Sequence, residues 1–412
     1  MKTARQQLDS LLRETTAAAR ARQQCAFDES AANRRQVVVF GAGRLGRSVL
    51  RGLAGTDLEV VAFADNNPRT WQTAVGGLPV LSPEDAATKY AKSAVFVVAV
   101  WHPSRSPLMA TLLQQLRTLG CRAAAFPLLF WRHPDKFLPY FFWDLPERLL
   151  AQGNDIAAAF DLLDDEESRR VFAAQLQLRL LGDFDCIGVP SECEQYFPGT
   201  YSLGNEECLV DCGAYTGDTI QSFVAQTDNR FRKVIAFEAD PAVMSGLQRF
   251  VSNMGTRARL HNAAVGGQNG VVHFAGDGIG GGRITDAASA TGTAVNCVRL
   301  DDALADERAT LIKMDIEGAE LQALEGAHRV IWRDRPVLAV CGYHKPDHLW
   351  RVLVSLKTLA PDFALSLRSH CADGLDSVCY AVPPERQIRT GGKATTRESS
   401  SKSRAQKQGA LS

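Results

Sequence analysis

The chain has 412 residues, which is too long for one ordinary domain. Of these residues 45% are hydrophobic and 22% are charged, a composition typical of a soluble globular protein. Its formal net charge is +0 at pH 7, so the overall charge gives no argument for binding to nucleic acid or to an anionic membrane. It has no apolar signal-peptide core and no run of about 18 or more uncharged apolar residues, so we expect a cytoplasmic protein without a membrane span.

The first predicted element is an N-terminal helix within residues 1–35. Leu8, Leu11 and Leu12 recur at helical spacing among arginines and glutamines from about residue 3 to residue 22, which predicts an amphipathic helix. Its apolar face needs a partner. That partner is either the rest of the chain or a second copy, so a homo-oligomer is one alternative.

Residues 36–130 are predicted to form a Rossmann-like domain. An apolar strand ending at Phe40 is followed by Gly-Ala-Gly-Arg-Leu-Gly, and a second apolar strand ends at Asp65 about twenty residues later. Further apolar strands are predicted at 93–100 and 121–126. Nucleotide binding and a purely structural role are both open for this segment. The candidate residues of this second nucleotide site are Gly41, Gly43, Gly46 and Asp65.

The same segment resembles a known ligand-binding domain. Its glycine loop and the stretch Asp65-Asn66-Asn67-Pro68 are similar to the nucleotide-sugar-binding domain of bacterial sugar acyltransferases. This resemblance implies a domain that selects a ligand without doing chemistry. The Tyr-x-x-x-Lys pattern, which supplies the proton donor of short-chain dehydrogenases and sugar epimerases, does not occur in the chain. An NAD-dependent oxidoreductase is therefore the less favoured alternative.

An aromatic and helical linker is predicted for residues 131–205. From 126 to 145 the chain is rich in Phe, Trp and Tyr, which pack between the domains, form a platform for the acceptor or contact a lipid surface. A helix is predicted from Asn154 to Gly182, where the glycine ends it. The loop before the next strand contains Tyr196, which either shapes a ligand site or only packs.

The C-terminal half is organised around residues 209–219, which predict a buried strand, a glycine turn and a helix. Gly213 and Gly217 would let the backbone pass close to a ligand, and Thr219 would lie in the first helical turn, where unpaired N–H groups face the pocket. The spacing differs from the dinucleotide fingerprint. It suits S-adenosylmethionine, whose ammonium group a carboxylate such as Asp211 can hold directly or through water.

Further strands follow at the intervals of a βαβ unit. An apolar strand ends at Glu238, whose carboxylate can accept two hydrogen bonds from a ribose diol. A third strand, at 258–265, contains Asn262 followed by small residues that suit a flat adenine. A fourth strand leads into Asp315 and Glu317, which would face the methyl group of the donor or the acceptor. A fifth strand follows.

These motifs resemble the FkbM-type S-adenosylmethionine-dependent methyltransferases over roughly residues 196–383. The resemblance is carried by D-C-G-A-Y-T-G-D-T at 211–219, F-E-A-D-P at 237–241, N-A-A at 262–264, L-D-D at 300–302 and K-M-D-I-E-G-A-E at 313–320. It implies a class I methyltransferase domain at 206–383, usually transferring a methyl group to a sugar or natural-product hydroxyl. The implied cofactor-binding residues are Asp211, Gly213, Tyr215, Gly217, Thr219, Glu238, Asn262, Asp315 and Glu317. Two features depart from the pattern: Ala239, where the family more often has proline, and the glycine-rich stretch at 276–282.

Methyl transfer to a hydroxyl gains from a group that takes the proton, and two residues are candidate catalytic bases. His344 follows the fifth strand, and its ordinary pKa keeps it largely neutral near pH 7. Asp315 ends the fourth strand beside the donor, but a carboxylate is a weaker base and would mainly orient the acceptor. His344 is the preferred base, with a purely structural turn histidine as the alternative.

The sequence thus predicts an α/β protein with two Rossmann-like domains, the second a class I methyltransferase fold with a mostly parallel seven-stranded sheet. We expect S-adenosylmethionine as the cofactor and a small-molecule acceptor, a sugar or nucleotide-sugar. The alternative is a nucleotide-binding protein with a vestigial methyltransferase site. The 10 cysteines show no metal-binding spacing, so no metal is expected. The Gly-, Ser-, Lys- and Arg-rich tail at 384–412 is predicted to be disordered.

Overall fold

The computed structural model describes residues 3–275, 282–285 and 292–388. Most of the predicted disordered tail and nearly all of the glycine-rich stretch at 276–282 lie outside the described residues. Every helix within the described residues is too short or too polar to cross a lipid bilayer.

The N-terminal half contains α1 (Ala4–Leu12), α2 (Thr16–Ala31), β1 (Gln36–Phe40), α3 (Arg44–Leu53), β2 (Glu59–Ala64), β3 (Ala74–Val75), β4 (Leu78–Leu81), α4 (Pro83–Tyr90), β5 (Ala94–Val98), α5 (Leu108–Thr118), β6 (Arg122–Ala125), α6 (Phe126–Arg132), α7 (Pro134–Phe137), α8 (Pro146–Leu150), α9 (Gly153–Asp161) and α10 (Glu166–Leu181). The C-terminal half contains β7 (Cys208–Cys212), α11 (Asp218–Gln226), β8 (Lys233–Glu238), α12 (Pro241–Ser252), β9 (Ala258–Asn262), β10 (Ala264–Val265), β11 (Gly270–Ala275), β12 (Arg283–Thr285), β13 (Thr293–Val298), α13 (Leu300–Ala303), β14 (Leu311–Met314), α14 (Glu320–Glu325), α15 (His328–Asp334), β15 (Val337–Cys341), α16 (His348–Leu359), β16 (Ala364–Ser369) and β17 (Ser377–Val382).

In the described part of the N-terminal half, six strands form a sheet in the order β3-β4-β2-β1-β5-β6. All neighbouring pairs are parallel except β3 with β4. The chain runs from β1 to β2 on one side and later crosses to β5 on the other side. The strand order therefore reverses at β1, and a crevice opens there at the C-terminal ends of the strands.

The main C-terminal sheet has seven strands among the described residues, in the order β16-β17-β15-β14-β7-β8-β9. The pairs from β15 to β9 are parallel, and β17 is antiparallel to both of its neighbours. This confirms the predicted class I methyltransferase fold. The predicted third strand is divided, however, because the chain leaves this sheet after Asn262, and β10 pairs with β13 in a separate small sheet.

Two predicted helices are each divided by a capping side chain. The N-terminal helix is two helices, α1 and α2, because the Thr15 side chain accepts a hydrogen bond from the backbone N–H of Ala18 and starts a new helix. Leu8 of α1 is fully buried within its own chain, so the apolar face has an intramolecular partner. The predicted helix at 154–182 is likewise α9 and α10, the second capped by Asp165 and ended by Gly182 in the left-handed region.

The aromatic segment at 126–145 packs between the two halves, which is the first of its three alternatives. The ring of Trp101, from the N-terminal half, lies 5.3 Å from the ring of Phe142. The indole N–H of Trp101 donates to the backbone oxygen of Asp373, 3.0 Å away in the C-terminal half. Phe141 lies against His344, with ring centroids 6.4 Å apart. The segment therefore connects the N-terminal crevice to the C-terminal edge of the second sheet.

Candidate functional site

A cavity of about 370 Å³ lies at the C-terminal edge of the seven-stranded sheet, where β7, β8, β14 and β15 end. Parallel strands bring their C-terminal ends to one edge, so residues that are distant in sequence meet there. Six of the predicted cofactor-binding residues line it: Gly213, Tyr215, Thr219, Glu238, Asp315 and Glu317. Three do not: Asp211, Gly217 and Asn262.

Glu238 is positioned by the backbone at the end of β8. Its Oε2 accepts a hydrogen bond from the N–H of Tyr215 in the glycine turn, and its Oε1 accepts one from the N–H of Asp240, both at 2.7 Å. Each carboxylate oxygen keeps further lone-pair capacity. The carboxylate therefore lies in a fixed orientation at the cavity and can accept two more hydrogen bonds, as the sequence predicted for a ribose diol.

The glycine turn after β7 is fixed by contacts with the neighbouring strand. Gly213 has a φ of +81°, and a Cβ there would lie 1.9 Å from the backbone oxygen of Asp315. Gly217 has a φ of +88°, and a Cβ there would lie 2.6 Å from the ring of Phe250. Both glycines are thus required by close protein contacts, and the turn is held directly against the end of β14.

Asp211 is paired inside the protein instead of facing the cavity. Its side chain is fully buried, and Oδ1 lies 2.9 Å from the Nζ atom of Lys313, which also donates to the Gly213 backbone oxygen at 2.6 Å. Burial opposes the charge on Lys313, but the neighbouring carboxylates of Asp211 and Asp315 raise its pKa above the ordinary value. The predicted direct contact of Asp211 with a ligand ammonium is therefore not supported by its position.

Asn262 also lies away from the cavity. It is exposed at the end of β9, opposite Glu238 in the strand register. The three residues after it, Ala263 to Val265, line the cavity. The small side chains predicted for an adenine-binding wall are therefore in place, while the amide predicted beside them is not.

Asp315 is the centre of a hydrogen-bonded cluster that faces the cavity. The hydroxyl of Tyr196 donates to its Oδ2 at 2.7 Å, and the hydroxyl of Tyr343 donates to Oδ1 at 3.4 Å. His344 Nε2 lies 3.2 Å from Oδ1. Burial would raise the pKa of Asp315, but the hydrogen bond and charge of His344 hold it well below its usual range. Asp315 is therefore an oriented carboxylate.

His344 lies behind this carboxylate and does not line the cavity. Its Nδ1 is 2.7 Å from Oε1 of Glu320, and Oε2 of Glu320 lies 3.1 Å from Nδ1 of His348. Burial would lower the pKa of His344, but the charge of Glu320 and hydrogen bonds to Asp315 and Glu320 raise it well above its ordinary value. The surroundings therefore favour the protonated form of the side chain, and the expectation of a neutral base at this position is not supported.

Backbone strain is concentrated at the cavity. Four of its non-glycine residues have φ in the left-handed region: Tyr196 at 67°, Tyr215 at 44°, Glu317 at 55° and Asp376 at 52°. Such conformations cost free energy and persist only where the surrounding structure enforces them, which is common at ligand sites. The centroid of the Tyr196 ring also lies 5.4 Å from Lys313 Nζ, so the loop before β7 packs against the ion pair of Lys313 and Asp211.

The described lining of the cavity is strongly acidic. It contains six carboxyl groups and one ammonium group, that of Lys313. The carboxyl groups belong to Asp218, Glu238, Asp240, Asp315, Glu317 and Asp376. Such a lining attracts a positively charged ligand. Among the described residues, no group of three or more His, Cys, Asp or Glu side chains is placed to hold a metal ion.

Several lining residues were not selected from the sequence. Tyr343 directly precedes His344 after β15, so its position at the strand end was a usable signal. Asp376 comes from the antiparallel end of the sheet, and Pro103 comes from the N-terminal half. No local sequence pattern identifies these two, because the antiparallel pairing of β17 with β15 brings Asp376 to the cavity and the packing of the two halves brings Pro103 there.

The predicted second nucleotide site also coincides with a cavity. A space of about 380 Å³ lies at the crevice of the N-terminal sheet, and its lining includes Gly41, Gly43 and Asp65. Gly46 lies below it: a Cβ there would lie 1.9 Å from the backbone oxygen of Gly41. This glycine therefore allows α3 to pack against the loop.

Part of the chain matches a known protein family, and a solved structure has a similar fold over most of the chain. Residues 211–363 match the methyltransferase FkbM domain. The crystal structure of methyltransferase FkbM from Methylobacillus flagellatus KT superposes with a TM-score of 0.72 at 22% sequence identity, covering 91% of this chain and 97% of that chain. At this identity the match shows the fold. The search of curated proteins found no significant match.

Two other solved structures overlap only in part. Fibrillarin from Aeropyrum pernix, in complex with S-adenosyl-L-methionine, covers 44% of this chain and 69% of its own, with 14% identity and a TM-score of 0.29. UDP-D-quinovosamine 4-dehydrogenase from Vibrio fischeri covers 22% of this chain and 77% of its own, with 23% identity and a TM-score of 0.19. These low scores carry no structural argument. From the family match and the fold, the chain contains a methyltransferase FkbM domain at residues 211–363.

Proposed function

We propose that this domain transfers a methyl group from S-adenosylmethionine to a hydroxyl oxygen of a small-molecule acceptor, a sugar or a natural product. The observation that carries the proposal is the fixed carboxylate of Glu238, whose two oxygens are each oriented by a backbone N–H at 2.7 Å. Two vicinal hydroxyl groups of a ribose fit this arrangement, because each can donate to one oxygen.

The remaining parts of the cavity also fit this donor. Its acidic lining suits a ligand that carries a sulfonium and an ammonium group. Ala263, Ala264 and Val265 give an apolar wall for the adenine. The N-terminal end of α11 lies at the cavity and suits the carboxylate of the methionine part, although the N–H of Thr219 itself donates to Oδ1 of Asp218 at 2.8 Å.

Asp315 is the residue that we assign to the acceptor. The donor supplies an electrophilic methyl group when it is bound. An oriented carboxylate beside it accepts a hydrogen bond from the acceptor hydroxyl and aims the oxygen at that methyl group. The attacking oxygen becomes positively charged as its bond to the methyl carbon forms and the carbon–sulfur bond breaks, leaving S-adenosylhomocysteine, so the proton on that oxygen becomes far more acidic. A weakly basic carboxylate is then able to take that proton.

His344 and Tyr196 act through Asp315. The imidazolium of His344 keeps Asp315 ionised and holds one of its oxygens, while Tyr196 donates to the other oxygen at 2.7 Å. Burial and the charge of Asp315 raise the pKa of Tyr196 well above its ordinary value, so its hydroxyl keeps its proton and remains a donor. We assign both as positioning residues.

Calorimetry with S-adenosylmethionine and S-adenosylhomocysteine tests the donor site. We expect the wild type to bind both, and Glu238→Ala to weaken binding by about 1–3 kcal/mol through the loss of charge-assisted hydrogen bonds. Glu59→Ala, at the exposed start of β2, is the matched control and should bind as the wild type does. Equal affinity in the Glu238→Ala and Glu59→Ala proteins would rule out this assignment.

A further inference from the structure

The N-terminal cavity is built at the edge of its sheet where ligands bind in open α/β folds. Its lining comes from three loops that follow parallel strands: Gly41 and Gly43 after β1, Asp65 after β2, and Trp101 and His102 after β5. The strand order reverses at β1, so the crevice lies at a topological switch point.

The three glycines of this loop, Gly41, Gly43 and Gly46, differ in the structural reason for having a glycine at each position. Gly41 has a φ of +112°, and a Cβ on Gly46 would meet the Gly41 backbone oxygen, so conformation and packing account for both. Gly43 has a φ of −76°, which any residue adopts, and a Cβ there would have no protein atom within 4 Å. Neither the backbone nor the packing requires this glycine. The space beside it belongs to the cavity.

Asp65 repeats the construction of Glu238 in the methyltransferase cavity. Its Oδ2 accepts a hydrogen bond from the N–H of Ala42 in the glycine turn, and its Oδ1 accepts one from the N–H of Asn67, both at 2.8 Å. In both halves the acid lies 23 residues after the turn residue that donates to it. The second bond in both comes from the residue two positions after the acid. A carboxylate held in this way suits a ribose diol.

The part of the cavity lined by Gly43 and Arg44 suits negative charge. Arg44 is the first residue of α3, a helix of ten residues, and it lines the cavity together with His102. The cap residue Gly43 offers no side-chain acceptor to the first N–H groups of that helix. Backbone N–H groups and a guanidinium beside a ribose-type carboxylate match a nucleoside diphosphate.

One short loop lines both cavities. Trp101 and His102 line the N-terminal cavity, and Pro103 lines the methyltransferase cavity. Two consecutive trans peptide units span at most about 7 Å, so the two cavities are neighbours. A group attached to a diphosphate in the first cavity is therefore close to the methyltransferase cavity, whose lining includes Asp315.

We propose that the N-terminal cavity binds a nucleoside diphosphate, with its ribose at Asp65 and its phosphates at Gly43 and Arg44, as part of a nucleotide-linked sugar. The nucleoside diphosphate site is independent of the proposed function. A dinucleotide cofactor carries the same diphosphate chemistry and is distinguished by the test.

The test is calorimetry on the full chain saturated with S-adenosylhomocysteine, using UDP, dTDP, GDP, ADP, their glucose conjugates and NADH as probes. We expect at least one nucleoside diphosphate and its sugar conjugate to bind with one-to-one stoichiometry. Gly43→Val, whose side chain would enter the cavity, should weaken this binding at least about tenfold. Gly270→Val is the matched control, since Gly270 is exposed in β11 and a Cβ there also meets nothing, and it should bind normally.

Affinity for S-adenosylhomocysteine in the Gly43→Val protein reports that the variant is folded. Absence of binding by every nucleoside diphosphate, or equal affinity in Gly43→Val and the wild type, would overturn the site. Tighter binding of NADH than of every sugar conjugate would overturn the assignment to a nucleotide-linked sugar. If nucleotides bind and S-adenosylhomocysteine does not, the proposed methyl donor is wrong and the nucleotide site stands.

Discussion

Lys313 and Asp211 form a buried ion pair beneath the glycine turn of the methyltransferase domain, with Nζ 2.9 Å from Oδ1 and side chains 3% and 0% exposed. Lys313 also donates to the backbone oxygen of Gly213. The pair therefore connects β14 to the turn after β7, and it places Gly213 against Asp315. The acid that begins the most specific motif of the sequence has a structural partner.

We predict that Lys313→Met lowers the free energy of unfolding by about 3–5 kcal/mol, because it leaves Asp211 buried without its counter-charge. The double variant Asp211→Asn/Lys313→Met should be more stable than Lys313→Met alone, since no uncompensated charge remains. Urea denaturation followed by circular dichroism measures both. Strictly additive losses in the double variant would show that the two side chains do not stabilise each other.

The assignment of roles at the acceptor side predicts unequal kinetic effects. Asp315→Asn should lower turnover by about 10²–10⁴-fold, because the amide cannot take the proton. His344→Gln should lower turnover less and shift its pH dependence, since it acts by setting the charge state of Asp315. Formation of S-adenosylhomocysteine in the presence of an acceptor measures both. Near-normal turnover in Asp315→Asn, together with collapse in His344→Gln, would return the role of base to His344.

Glu320, His344, His348 and Asp315 form a network of mostly buried side chains, which predicts a pH-dependent contribution to the free energy of unfolding. The pKa of His344 is raised above its ordinary value, so its contribution is complete below about pH 6.5 and is lost as pH rises through the raised pKa. Burial opposes the charge of Glu320, but His344 and His348 lower its pKa well below the ordinary value. Its contribution is therefore present above about pH 4.3 and is lost as pH falls through the lowered pKa.

The stability difference between the wild type and His344→Asn should accordingly be largest near about pH 5–6 and shrink towards both alkaline and strongly acidic pH. Urea denaturation of both proteins across this range measures the difference. A difference independent of pH would contradict the charged network.

The packing inside the aromatic segment at 126–145 predicts a large cost of truncation. Trp143 is fully buried, with its ring 5.0 Å from Phe142 and 5.8 Å from Phe126. Trp143→Ala should lower the free energy of unfolding by about 3–5 kcal/mol. Trp332 is 79% exposed on α15, so Trp332→Ala is the control and should change stability by no more than about 0.5 kcal/mol. Similar losses in the two variants would show that Trp143 does not contribute to a packed interface.

Much of the candidate site could be predicted from the sequence, because its residues follow local patterns of strands and turns. Buried strands that end in an acid, such as Glu238 and Asp315, are visible as apolar runs followed by a carboxylate. Parallel pairing then brings their ends to one edge. The glycine turn containing Gly213 could likewise be predicted. The glycine is required by the nearby backbone of Asp315, however, and not by a ligand alone. The division of the third strand after Asn262 was not visible, because pairing partners and not local composition separate β9 from β10.

By itself the sequence determined the two α/β halves, the mostly parallel C-terminal sheet and the acids at its edge. These features depend on hydrophobic periodicity and on turn-forming residues, both of which can be read directly from the sequence. Tertiary structure alone decided the charge states. Lys313 forms an ion pair with Asp211 from about one hundred positions away, and the carboxylates of Glu320 and Asp315 raise the pKa of His344. It also decided that Pro103 reaches the methyltransferase cavity. These features depend on burial and on which distant side chains become neighbours, and the electrostatic interaction of two charges is set by those quantities.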